Sequence, residues 1–308
     1  MKRSYLAAST AFALLAGLAP NIAQACACGC NVFDIGTSTL QPMGSRITAY
    51  VDYDYMDQNQ NFSGTHDAPA ADNGDKRIET SFVKLGAQLR VNEDWKLTAD
   101  LPIADRLFRT DDGSGVQGFR HTALGDLRIT ATYSGFFKDH ATGAIFGLKL
   151  PTGDFHYSGF DRDTEIGSGG TDLVIGGFHT GAFDMNETWR YFAQVVADLP
   201  VASQGGYHPG SEVDSAAGVS YGDGKLIAGL FRISPVLQVV ASQRAKDTGP
   251  AANPDGSGYT RVLIAPGFQV SSGQWSLYGS VQFPIYQHVN GDQLVAPALF
   301  QMKVSRSF

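Results

Sequence analysis

Beyond residue 44, apolar and polar residues alternate one for one in a succession of short runs. In the first, Ile47, Ala49, Val51, Tyr53 and Tyr55 form one row, while Thr48, Tyr50, Asp52 and Asp54 form the other. A period of two puts the rows on opposite faces of a strand, one dry and one wet. The pattern returns at Val83, Leu85, Ala87, Leu89 and Val91, opposite Phe82, Lys84, Gly86, Gln88 and Arg90. After Asn92, Glu93 and Asp94 it resumes as Trp95, Leu97, Ala99, Leu101 and Ile103, opposite Lys96, Thr98 and Asp100. Two such rows joined by a tight polar turn read as a hairpin. Further strands are expected at Leu127, Ile129, Ala131 and Tyr133, at Ala144, Phe146, Leu148 and Leu150, over residues 171–181, and at Trp189, Tyr191, Ala193, Val195 and Ala197. The second half adds residues 213–221, the latter part of an apolar stretch at 226–243 broken by Pro235, residues 259–270, and Trp275, Leu277, Gly279, Val281 and Phe283. The chain closes on Ala298, Phe300, Met302 and Val304, opposite Leu299, Gln301, Lys303, Ser305 and Ser307.

The connections alternate in length. Residues 56–77, 104–123, 151–170, 200–212, 245–257 and 286–292 read as long loops, whereas residues 92–94, 135–140, 185–187 and 272–274 are short. About twelve strands result, an even number with short turns at one end and long loops at the other, as in bacterial transmembrane barrels. A secreted β-sandwich shares the alternation, and the tryptophans separate the two. Trp95, Trp189 and Trp275 each follow a short turn at the start of an apolar row, the level of an aromatic girdle. Tyr53 and Tyr55 mark the opposite girdle. The expected fold is all-β, an antiparallel transmembrane up-and-down β-barrel of about twelve strands. Closure would pair residues 294–308 with residues 45–55. Arg306 interrupts the outer row at the rim, where its side chain can snorkel to headgroups.

The start of the chain is different. Lys2 and Arg3 precede an apolar run at residues 6–19, and a small-residue site follows at Ala23, Gln24 and Ala25. This is the pattern of a secretory signal peptide over residues 1–25, and nothing later reaches the roughly 18 apolar residues of a membrane helix. Residues 26–44 then form a periplasmic segment and residues 45–308 the barrel. The segment opens CACGC, with Cys26, Cys28 and Cys30 spaced by two. In an extended chain three thiols then point one way, close enough to share Cu(I) or Zn. A redox-active or intermolecular disulfide and lipid attachment at Cys26 are the rival readings. Lipoprotein signals usually carry Leu where Ala23 stands.

Charge narrows the partners. Charged residues make up 17% of the 308 and the net charge is -7, with no basic stripe for a phosphate backbone, so nucleic acid is not an expected partner. Gly218, Ser220 and Gly222 spell GxSxG, but within a strand and without the following helix that a nucleophile elbow requires. The GxGxxG spelling at residues 113–118 lies in a polar loop, outside the strand-to-helix setting of dinucleotide binding. The seven histidines are scattered, mostly in loops. An outer-membrane lipase-like enzyme would need one of them beside a serine. The acidic run at residues 161–165 is read as a solvated loop, with Ca²⁺ or lipopolysaccharide bridging as the alternative.

The terminal strand ending on Phe308 resembles the assembly signal of outer-membrane barrels, which implies the barrel assembly machinery as a partner. LGDL at residues 124–127, GLKLPTGD at 147–154, PGFQV at 266–270 and WSLYGSVQFPIYQHVNGDQL at 275–294 resemble the outer-membrane barrels grouped as the meta-pathway phenol-degradation, or transporter-like, family. The likeness runs over residues 45–308 in layout. It implies a barrel among outer-membrane lipids and passage of small molecules, hydrophobic or aromatic ones included. The three-cysteine segment is no part of the family's general pattern.

Lys84, Asp100, Asp126, Arg128 and Lys149 lie opposite the apolar rows. Facing lipid, the basic ones would cost roughly 2–4 kcal/mol apiece at mid-depth; facing a lumen they tune selectivity or pair into a ladder. The expected function is a passive outer-membrane channel for a small-molecule solute that catalyses no reaction. The alternative is a closed anchor whose cysteines bind metal or dock a periplasmic redox or metal-handling partner.

Overall fold

The structure is a computed structural model that describes residues 45–222, 227 and 230–308. The signal peptide and Cys26, Cys28 and Cys30 lie outside the described residues. In chain order the strands are β1 Ile47–Gln58, β2 Gln60–Gly64, β3 His66–Asp67, β4 Asp75–Arg90, β5 Trp95–Asp111, β6 Val116–Leu124, β7 Leu127–Tyr133, β8 Thr142–Leu150, β9 Gly170–Ala182, β10 Trp189–Ser203, β11 Glu212–Tyr221, β12 Arg232–Arg244, β13 Tyr259–Ser272, β14 Trp275–Val295 and β15 Leu299–Ser307. Among the described residues, helix is limited to one 3₁₀ turn at Pro254–Gly256.

Twelve of these strands close into an antiparallel ring; β2, β3 and β6 lie outside it. Closure is where expected. Val51 sits opposite Val304 and Tyr53 opposite Met302, and the Phe308 amide donates to the Ile47 carbonyl at 2.8 Å. Since all backbone groups of a closed ring pair between strands, no edge is left for lipid to meet.

The side chains are sorted inside-out. Val51, Leu85, Leu97, Ile129, Leu148, Ile175, Val195, Val239 and Val304 are all exposed, while Asp52, Asp54, Lys84, Asp172, Asp198, Gln238, Gln301 and Lys303 are buried. More polar and charged residues than apolar ones are buried among the described residues, which is the reverse of a soluble core. The apolar exterior is therefore a lipid-facing band, and the barrel is a transmembrane one. At the turn end the tryptophans stand at one level. Trp95 packs on Tyr133 with ring centroids 4.9 Å apart, and Trp189 on Tyr221 at 5.0 Å. The Arg306 guanidinium lies over the Trp275 and Phe308 rings, 5.3 and 4.8 Å from their centroids, so it is satisfied at the rim.

At the loop end the structure departs from the sequence expectation. Residues 104–123 are not a loop: β5 runs on to Asp111 and turns into β6, pairing Phe108 with Phe119. Residues 56–77 likewise contain β2 and β3, and β2 pairs with the distal part of β14 rather than with a ring neighbour of β1. Residues 286–292 belong to β14, which bends at Gly291 (φ +63°). Past the membrane no lipid face enforces alternation, so these hairpins carry mixed patterns that read as loops. Pro235 is accommodated within β12, one residue beyond the last register pair with β11, Ser220 with Val236.

Candidate functional site

The inner wall is built from the strand positions opposite the lipid-facing rows, so period two delivers its polar groups automatically. Near mid-height they are paired. Lys84 lies 3.6 Å from Asp54 on the adjacent strand, Lys303 3.3 Å from Asp52, and Lys149 2.5 Å from Asp172, its register partner. The Tyr50 hydroxyl donates to Asp100. Arg128 donates to both oxygens of Asp198, at 2.6 and 2.9 Å. β8 and β9 separate β7 from β10 in the ring, so this pair bridges over two intervening strands of the lumen wall. Two forked, charge-assisted bonds hold it.

The inner wall also carries apolar groups: Met56, Phe82, Leu263 and Leu299 form one cluster with Phe192 and Val236, which lie nearer the turn end, and Ile166 packs against it from residues 151–170. The acidic run is therefore not a solvated loop, as the sequence reading had it. It folds inward. Arg106, fully buried, donates to Thr80 Oγ1 at 2.9 Å and to the backbone carbonyls of Thr164 and Glu165. Asp126 accepts from the Gly153 amide at 3.0 Å and from the Ser168 amide at 2.8 Å, so it clasps both ends of the inward segment. Tyr157 and Phe160 seat the outer part of the segment against Phe108 and Phe119.

Burial is felt by the carboxylates of that segment. Desolvation pushes Glu165 up to about 7, helped by the charge of Asp154, and raises Asp161 by burial alone. Glu165 Oε2 has no hydrogen-bond partner in the structure. His121, by contrast, holds Asp154 below the usual carboxylate range through a 2.8 Å bond.

The inward segment and the ion-pair layer divide the lumen into two cavities. One, of 730 Å³, occupies the turn end; the other, of 160 Å³, lies beneath residues 151–170. Lys84, Asp100 and Arg128 belong to the walls of both, so they stand where the two meet.

Of the residues singled out by sequence, Lys84, Asp100, Arg128 and Lys149 do face the lumen. Asp126 lines the smaller cavity as well, and from its place just before β7 it also holds the inward segment. The partners Asp172 and Asp198, the anchor Arg106, and the cations Lys96 and Lys303 escaped selection. Their parity made them visible as inward residues, but nothing local reveals which strand faces which across a lumen. Ser220 lies within β11, with no helix after it and register partners Arg190 and Val236. The serine–histidine contacts do include Ser203 Oγ with His208 Nδ1, five residues apart at the loop end.

Comparison with solved structures bears on the fold. An outer membrane channel from Pseudomonas putida F1 superposes with a TM-score of 0.63 at 12% identity, over 87% of this chain and 97% of that one. The fold is that of an outer-membrane barrel. The beta domain of the Bordetella autotransporter Brka follows with a TM-score of 0.52 at 15% identity, over 85% of this chain and all of that one. Neither a protein-family model nor a curated protein sequence matches the chain.

Proposed function

We propose that this chain is a passive outer-membrane channel for small molecules and that it carries out no catalysis. The observation that supports this most is the lumen itself, a polar interior with a 730 Å³ cavity reaching Lys84, Asp100 and Arg128, which also wall the space above. In this reading the paired charges at mid-height set selectivity, and the turn end, with both termini, faces the periplasm. Phe308, exposed and paired to β1 through its backbone, is the mark read by the assembly machinery. The motifs at residues 124–127, 147–154, 266–270 and 275–294 resemble those of the meta-pathway, transporter-like barrels, and on that resemblance hydrophobic or aromatic solutes are the proposed class. Swelling of liposomes that contain the purified protein, in isotonic solutions of small sugars and alcohols, tests the reading. Swelling above that of empty liposomes is expected, and none at all would reject it.

A second reading is favoured by the Arg128–Asp198 bridge and the inward segment, both of which narrow the lumen. Here the barrel is a closed anchor, and Cys26, Cys28 and Cys30 bind Cu(I) or Zn or dock a periplasmic partner. Metal analysis and thiol titration of the wild type against a Cys28→Ser, Cys30→Ser variant separate the two. Unchanged metal content would leave the channel alone.

A further inference from the structure

The turn-end cavity has two unlike walls. On β8, β9 and β10 the lining side chains Ile145, Phe178, Phe192 and Val196 make the wall largely apolar, with Thr180 and Gln194 set among them. The rings lie flat because glycines face them. A Cβ on Gly143 would sit 2.3 Å from the Phe178 ring, and one on Gly218 would sit 2.5 Å from that of Phe192. Round the ring, β4, β5 and β15 present Lys84, Lys96 and Lys303 to the same space.

Lys84 and Lys303 are each matched by an aspartate of β1, at 3.6 and 3.3 Å. Arg128 is matched by Asp198. Lys96 is different: among the described residues its ammonium has neither an ion pair nor a hydrogen bond, and the charge that acts on it, Lys303, has the same sign. The carboxylate on its own strand, Asp100, is taken by Tyr50. At the mouth Glu93, Asp94 and Asp139 stand with Arg46, Arg90 and Arg190, and Asp214 on β11 accepts a bond from Ser242, so Lys96 is left without a counter-ion in the interior. A cation in a confined space beside low-dielectric walls attracts an anion more strongly than it would in open water.

We propose that this cavity binds small aromatic carboxylates, with Lys96 holding the carboxylate and the Phe178–Phe192 wall holding the ring. At 730 Å³ the cavity falls in the range of small-molecule sites, about 300–1,000 Å³. The proposal rests on the lumen being a solute pathway and names the solute class: an anion with an apolar body, preferred over its neutral or cationic analogue.

Calorimetric titration of the folded full-length barrel in detergent with benzoate, benzyl alcohol and benzylammonium tests it. Benzoate is expected to bind at least about tenfold more tightly than either analogue, a difference of about 1.4 kcal/mol. Lys96→Gln should bring benzoate down to the level of benzyl alcohol, while Lys96→Arg should keep the preference and show that the fold tolerates the position. Equal binding of the three probes, no binding, or full benzoate affinity in Lys96→Gln would overturn the proposal. Liposome swelling in neutral sugars is independent of this site. Swelling without benzoate preference overturns the site and leaves the channel, and benzoate binding without swelling does the reverse.

Discussion

At the scale of residues, the energetics of the lumen are those of ions removed from bulk water. Asp198 is buried and Arg128 largely so, and each compensates the other through two hydrogen bonds. Removing one partner leaves an uncompensated charge, so Arg128→Ala should cost about 3–5 kcal/mol. Equilibrium unfolding from lipid vesicles in urea measures it, and an Arg128→Met, Asp198→Leu double variant should recover most of the loss. The inner glycines have a different role, because they leave room for rings to lie against the wall. A Cβ at Gly86 would come within 2.1 Å of the Tyr50 ring, so Gly86→Ala must tilt the ring and strain its bond to Asp100. A loss of roughly 1–3 kcal/mol in the same unfolding assay is the expected outcome. Neither contact is legible in sequence. Tyr50, Gly86, Asp100 and Arg128 all show the parity of inward residues, but parity says nothing about separation across a lumen.

At the scale of elements, the strands were legible because lipid imposes a rule on every second residue. The rows headed by Ile47, Val83, Trp95, Trp189 and Trp275 all face outward as the pattern requires. The rule lapses beyond the bilayer, so the β5–β6 hairpin and the inward course of residues 151–170 stayed hidden: Arg106 and Asp126 hold that segment by bonds to its backbone, which leave no signature in its side chains. Its seating should depend on pH. The pKa of Glu165 is raised to about 7 in the folded chain by burial first and by Asp154 second, with the Tyr157 amide, Arg162 and Arg106 opposing. A carboxyl with a raised pKa binds a proton in the folded state that the unfolded state releases. Stability therefore falls as pH rises from the ordinary Glu value, about 4.3, through 7. Hydrogen exchange at the amides of residues 160–168 should quicken relative to the strands between pH 5 and pH 8, after correction for intrinsic rates. Glu165→Gln should flatten that relative change.

At the scale of the whole molecule, one arrangement explains the composition. An exterior of Val, Leu and Ile and an interior of Asp, Lys, Gln and Thr suit a cylinder with hydrocarbon outside and a polar lumen within. Leu85 belongs to the exterior row shared with Val51 and Leu101. Leu85→Arg should cost roughly 2–4 kcal/mol if that row lies near mid-bilayer, as read by unfolding from vesicles of fixed lipid composition. The solute pathway is tested most directly by electrical recording. Single-channel conductance of the purified wild-type barrel in planar bilayers should show discrete steps, and these should grow in an Arg128→Ser, Asp198→Ser variant that removes the bridge across the lumen wall and leaves small polar side chains in its place. A folded barrel that conducts nothing in either form would contradict the account.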